Sequence, residues 1–181
     1  MNGMTGSRRL ARPVRLALAT RLGRDIDGAW WPHTGSVAQE LPGLIGCLHK
    51  RLGEIVDIRI NWSATEGPLD LDTLATGART PASAKFRRPR LMFVEGRTGC
   101  AKLLVVPHMT SADLGALVMR CVAAMPVDAH EREGRTFETA DVVTRTAQIE
   151  SANWTTRMRD EAAAKIVAEK HTSGVAASNE S

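Results

Sequence analysis

Apolar residues that recur at every second position predict four β-strands. The clearest strand lies within residues 54–62, where apolar and polar side chains alternate, as in a strand with one face in the core and the other in water. Residues 14–19 alternate in the same way and predict the first strand. Residues 90–96 and 100–107 predict a hairpin closed by a Gly-flanked turn. Because residues 103–106 are all apolar, the second strand of this hairpin is expected to be central and buried.

Apolar residues at helical spacing predict a first helix after residue 36. Ser36 and Gln39 have the spacing of a capping box, which satisfies backbone amides at a helix start. Pro42 fits poorly inside a helix, so we expect a short first turn followed by a main helix that begins at Pro42. A leucine-rich stripe follows, and Gly53 is expected to cap the end.

Two further helices are predicted in the second half of the chain. The first begins at Thr110 or Ser111 and ends before Pro126, and its apolar stripe includes Cys121, which we interpret as a small core residue. The second spans about residues 151–171. Its narrow apolar stripe predicts loose packing or docking on a partner chain.

The order of these elements predicts an α+β fold. We expect a mainly antiparallel sheet of about four strands, with two amphipathic helices packed on one face and a C-terminal helical tail. Residues 63–88 lack periodicity and are expected to form a long loop. The predicted organisation is a flexible basic N-terminus at residues 1–12, an α+β domain at 13–126, a polar linker and helical tail at 127–171, and a disordered C-terminus at 172–181.

Composition narrows the class of protein. A chain of 181 residues with 43% hydrophobic residues can bury a core without disulfides or metal. Its three cysteines are far apart and form no CxxC pair, which favours a reducing, cytoplasmic compartment. No apolar run approaches the roughly 20 residues that a membrane span requires, so no membrane association is expected.

The net charge of +4 is unevenly distributed. Residues 1–24 hold six arginines and no acid, and residues 79–102 hold seven bases and one acid. Basic side chains of this kind can neutralise phosphates, whereas a solvated basic loop can equally keep a strand edge from pairing with another chain. The candidate phosphate or nucleic-acid contacts are Arg8, Arg9, Arg12, Lys85, Arg87 and Arg88.

The most distinctive local motif is a tryptophan pair between the first strand and the first helix. Trp30 and Trp31 follow the turn dipeptide Asp27-Gly28, with Asp25 before it and His33 after it. An exposed indole beside carboxylates could hold a sugar, a base or a cation. The favoured alternative is that both rings plug the end of the sheet while an aspartate caps backbone amides.

This motif carries a resemblance to a known family. The runs LGRDIDGAWWPHTGS, QELPGLIG and KLLVVPH resemble an uncharacterised actinobacterial family of domains of unknown function, over about residues 14–126. The resemblance implies a small cytoplasmic domain without an assigned activity, cofactor or catalytic set. It therefore transfers no catalytic residue to this chain.

The leading functional hypothesis is a non-catalytic binding or protein-interaction module. Its surface would be the open face of the sheet near the tryptophan loop, and its candidate residues are Asp25, Asp27, Trp30, Trp31, His33, Asp57, Arg59 and Asn61. One alternative is nucleic-acid binding through the basic residues. Another is a small-ligand enzyme that uses Asp25, Asp27 and His33 as acid–base groups.

No catalytic residue, metal site or cofactor is predicted, because no metal-ligand or phosphate-loop spacing is present. A protein partner, or self-association through the C-terminal helix, is expected.

Overall fold

The computed structural model describes residues 12–63 and 88–176, with side chains up to residue 170. Residues 64–87 of the predicted long loop, residues 1–11 of the predicted N-terminus and residues 177–181 of the predicted C-terminus lie outside the described residues, whereas residues 172–176 are helical. The five strands are β1 (Leu16–Leu18), β2 (Gly28–Trp30), β3 (Ile55–Ile60), β4 (Leu91–Gly96) and β5 (Cys100–Val105). The four helices described are α1 (Val37–Leu52), α2 (Ala112–Val122), α3 (Ala129–Arg132) and α4 (Arg135–Ala176).

The strands form one mixed sheet in the order β1-β2-β5-β4-β3. The predicted α+β class is confirmed, and β4 and β5 form the predicted antiparallel hairpin with β5 central. The sheet has five strands because β2, which sequence periodicity assigned to a loop, pairs parallel with β5 and antiparallel with β1. Three residues are too few to establish a period of two, so the pattern could not reveal β2.

The helices cover both faces of the sheet. On one face, α1 packs through Leu44, Leu48 and Leu52 against Trp30 and Leu103. On the other face, α2 and the first half of α4 form a separate apolar cluster with alternate residues of the same strands. The expectation that both amphipathic helices share one face and one interior was therefore wrong. The apolar stripe of each helix predicts that the helix packs on the sheet, but it does not predict on which face of the sheet it packs.

Helix α1 is continuous through Pro42, contrary to the predicted break. The backbone bond that proline cannot make would reach the carbonyl of Ala38, which is an exposed residue, so water can satisfy that oxygen. Ser36 precedes the helix but makes no side-chain capping bond. The end of the helix is as predicted: Gly53 has φ 71°, and its N–H donates to the His49 carbonyl at 2.9 Å.

Helix α4 is much longer than predicted. It has 42 residues, which corresponds to about 63 Å. Ala140, Val143, Ala147 and Trp154 belong to the core shared with α2, so this core continues past residue 126. Residues 159–170 are all exposed. No helix among the described residues combines the length and apolarity needed to cross a membrane.

Candidate functional site

β2 and β5 are neighbouring parallel strands, and the connections that follow them leave the sheet on opposite faces. β2 and β5 are neighbours with Trp30 opposite Val105, and the ladder continues through a bond from the Val106 N–H to the Trp30 carbonyl at 2.8 Å. After β2 the chain enters α1 on one face, and after β5 it enters α2 on the other. In open sheets, ligands bind in the crevice outside the carboxyl ends of strands whose connections diverge in this way.

Equivalent dipeptides follow both strands. Continuing the β2–β5 register places Pro32-His33 beside Pro107-His108, immediately beyond the carboxyl ends. We call residues 31–36 and 106–111 the two crevice loops. Sequence reasoning identified His33 but missed His108, although the repeated Pro-His dipeptide was a visible signal.

Hydrogen bonds to the Glu40 carboxylate hold the first crevice loop in place. The Glu40 carboxylate accepts the His33 N–H at 2.8 Å and both the N–H and the hydroxyl of Thr34, at 2.6 and 2.8 Å. Partial burial alone would raise the pKa of Glu40, but the bonds from His33 and Thr34 outweigh it and lower the pKa below its ordinary value. The His33 ring is also held, because its Nε2 donates to the Pro13 carbonyl at 2.8 Å.

The second crevice loop contacts the first through His108. A Cβ at Gly35 would lie 3.2 Å from Cε1 of the His108 ring, so this ring packs over the glycine. Within the described residues, the His108 ring has no hydrogen-bond partner. The hydroxyls of Ser36 and Ser111, at the starts of α1 and α2, make no capping bond. The two crevice loops therefore contain one imidazole held by a backbone carbonyl, one imidazole without a hydrogen-bond partner among the described residues, and two exposed serines without capping bonds.

Both tryptophan rings are buried, which agrees with the favoured interpretation that they plug the sheet. They lie on opposite faces of the sheet. Trp30 is 1% exposed in the α1 core and Trp31 is 7% exposed in the α2–α4 core. The Arg15 guanidinium stacks 3.7 Å from the centre of the Trp31 ring and donates to the carbonyls of Trp31 and Pro32. Burial lowers the pKa of Arg15 and exceeds the opposing influence of Glu40. Both indoles are therefore part of the hydrophobic cores and are not exposed to a ligand.

The two aspartates of the motif lie at the other end of β2. The carboxylate of Asp27 is 1% exposed and accepts three backbone N–H groups, from Gly23, Arg24 and Lys102, at 2.7–2.9 Å. Asp25 is exposed, and its carbonyl accepts the Ser151 hydroxyl from α4. Because β2 separates them from His33, the three groups cannot converge on one reacting atom.

The remaining interaction candidates lie on β3 and around it. Three strand spacings, about 14 Å, separate β3 from β2, so these residues are not near the tryptophan loop. Asp57 and Arg59 form an exposed ion pair at 2.6 Å. Asn61 is a structural clamp, because its side chain donates to the Pro89 carbonyl at 2.9 Å and accepts the Leu91 N–H at 2.7 Å.

Of the basic candidates, Arg12 is exposed and Arg88 lies 3.8 Å from the Glu150 carboxylate of α4. Arg8, Arg9, Lys85 and Arg87 lie outside the described residues. The described part of the chain contains no group of three or more His, Cys, Asp or Glu side chains arranged to hold a metal ion.

A family profile for a family of unknown function, DUF5994, matches residues 15–122, more than half of the chain. The chain belongs to DUF5994. The DUF5994 region begins just before β1 and ends with α2, so it includes both crevice loops, whereas α3 and α4 lie beyond it. No curated protein and no solved structure matches the chain significantly.

Proposed function

We propose that this DUF5994 protein is a non-catalytic binding module whose ligand lies in the crevice at the carboxyl ends of β2 and β5. The observation that carries the proposal is the divergence of α1 and α2 to opposite faces directly after two neighbouring parallel strands. The crevice loops lie inside the matched family region, which supports a role common to the family rather than one peculiar to this chain.

The chemistry of the crevice favours a small ligand that accepts hydrogen bonds. The crevice loops contain the ring of His108 and the hydroxyls of Ser36 and Ser111, none of which makes a hydrogen bond to another described residue. Among the described residues, neither Ser36 nor Ser111 hydrogen-bonds to a base, and the Thr34 hydroxyl shares the Glu40 carboxylate with the two backbone N–H groups of His33 and Thr34. These features support binding without turnover.

The test is a ligand-detected NMR screen with sugar phosphates, nucleotides and dicarboxylates, followed by affinity measurements on variants. We expect His108→Ala to weaken binding of any hit by about tenfold, which corresponds to loss of a hydrogen bond worth about 1.4 kcal/mol. His49→Ala is the control, since His49 is exposed in the last turn of α1, at the opposite end of that helix. Equal affinity for both variants, or chemical conversion of the hit, would contradict the proposal.

A cytoplasmic location is part of the same proposal. Cys47 and Cys100 are exposed, unpaired thiols, which suit a reducing compartment. A protein partner that docks on the exposed residues 159–170 of α4 stays a prediction, and Ile166 and Val167, each more than half exposed, support it.

A further inference from the structure

Among the described residues, no strand pairs with the outer edge of β3, which we call the open edge. β3 is the last strand in the sheet order, and β4 is its only strand neighbour among the described residues. The Asn61 N–H donates to the Leu91 carbonyl across the β3–β4 pair. Because peptide groups alternate along a strand, those of Ile58 and Ile60 point away from β4, toward the open edge. A backbone edge of this kind is a template for another strand.

The sequence of this edge is self-complementary. Asp57 and Arg59 flank Ile58 symmetrically, and both side chains lie on the same face of the sheet. If two copies pair antiparallel about a two-fold axis at Ile58, each Asp57 lies directly opposite Arg59 of the second copy. The Ile58 residues then face each other with both of their peptide groups available for a reciprocal pair of hydrogen bonds.

Within one copy, Arg59 already contacts two acidic side chains on this face of the sheet. The Arg59 guanidinium lies 2.6 Å from the Asp57 carboxylate and 3.7 Å from that of Glu95, and it is 5.9 Å from the centre of the Phe93 ring. All of these contacts lie within the outer two strands, so a second copy would extend an existing charge network. The irregularity in pairing between Ile55 and Asp57 confines the self-complementary register to residues 57–59, because Ile60 would lie opposite Val56 of the second copy.

We propose that β3 pairs antiparallel with β3 of a second copy of this chain, which joins two five-stranded sheets into one. This interaction surface is separate from the proposed ligand crevice, because β5 and β4 lie between β2 and β3. A two-fold contact is also the closed arrangement most common among homo-oligomers. The short register predicts a weak dimer that forms only at high protein concentration.

The test uses sedimentation velocity on the full chain across a concentration series. We expect the wild type to approach twice the 19.6 kDa chain mass at high concentration. Asp57→Arg places Arg59 opposite a second arginine, and Arg59→Asp places Asp57 opposite a second aspartate, so each variant alone should stay monomeric. An equal mixture of the two variants restores opposite charges at both positions and should recover the dimer.

Glu54→Arg and Arg97→Asp are matched controls. They make the same charge changes in the ion pair at the nearby turn, where both side chains are more than 60% exposed, and should dimerise as the wild type does. The complementation of the mixture distinguishes pairing between copies from the ion pair within one chain. A wild type that remains monomeric, single variants that still dimerise, or a mixture that stays monomeric would each overturn the proposal. A dimer that survives both variants would place the contact elsewhere, such as on the exposed end of α4.

Discussion

Several polar side chains of this domain bind backbone groups rather than project into solvent. Asp27 collects three N–H groups from two separate segments, Asn61 ties the end of β3 to the start of β4, and Glu40 holds the first crevice loop. Each of these side chains supplies hydrogen bonds to backbone groups that regular secondary structure leaves unpaired at these positions. Two of the three were candidate ligand contacts from the sequence, because a side chain that binds a ligand and one that binds a loop have the same chemistry.

Replacing Asp27 should destabilise the protein strongly. Asp27→Ala leaves three backbone N–H groups without their acceptor, two of them bonded to Oδ1 and one to Oδ2, and should lower the free energy of unfolding by about 3 kcal/mol. Asp25→Ala removes an exposed carboxylate two residues away and should change it by less than about 0.5 kcal/mol. Urea denaturation at neutral pH measures both. Equal losses for the two variants would show that the Asp27 carboxylate does not anchor the three N–H groups.

The contribution of Glu40 should depend on pH. Its pKa is lowered in the folded protein, so the carboxylate stabilises the fold fully above the ordinary glutamate value of 4.5, and this stabilisation is lost as the pH falls through the folded-state pKa. The difference in unfolding free energy between wild type and Glu40→Gln should therefore be largest above pH 5 and shrink below pH 4.5. Denaturation curves at a series of pH values measure this difference. A difference that grows on acidification would contradict the assignment.

At the scale of the elements, long periodic segments could be predicted and short ones could not. The α1 stripe, β3 and the β4–β5 hairpin follow from spacing alone. β2 could not be found because its three residues gain their identity from partners distant in the chain, Ala17 and Leu104. Gly28 is typical of a turn in the sequence, yet it lies in a strand. The pairing of β2 with β1 requires glycine there, because any Cβ would overlap the Ala17 carbonyl oxygen. Helix α4 was predicted too short because its first half is polar on average and packs through small residues such as Ala140 and Ala147.

Replacing glycine by alanine should destabilise the protein in α2, which packs closely against Trp31, and stabilise it in α1. A Cβ at Gly115 in α2 would lie 2.6 Å from the Trp31 ring, so Gly115→Ala should cost about 2 kcal/mol despite its better helix propensity. At Gly46 in α1 no atom lies within 4 Å of such a Cβ, so Gly46→Ala should stabilise the protein by about 0.5 kcal/mol. Thermal and urea unfolding of the two variants measure the contrast. Stabilisation by both would mean that Trp31 does not pack against α2.

At the scale of the whole molecule, the sheet has three distinct regions. The centre is covered on both faces, the carboxyl ends of β2 and β5 form the proposed ligand crevice, and the outer edge of β3 has no strand partner in the described part of the chain. The candidate site could be predicted from the sequence only as far as the loop around His33. The repeated Pro-His dipeptide was visible around His108, but only the parallel pairing of β2 with β5 shows that the two dipeptides lie side by side.

The exposed end of α4 can be removed to separate its role from that of β3. A chain that ends after Arg159 loses only exposed side chains among residues 160–170, the part of the removed segment whose side chains are described, so its unfolding midpoint should stay within about 1 °C of the wild type. If β3 carries self-association, the oligomeric mass should also be unchanged. Loss of the dimer on truncation would assign the contact to the helix instead, as the sequence alone suggested.

The most direct test of the ligand crevice is a 1H–15N correlation spectrum of the wild-type protein, recorded with increasing concentrations of the strongest hit from the NMR screen. We expect amide shifts to concentrate in both crevice loops, residues 31–36 and 106–111, and in the first turns of α1 and α2. Shifts confined to residues 55–61, or to the segment around Asp25 and Asp27, would contradict this expectation.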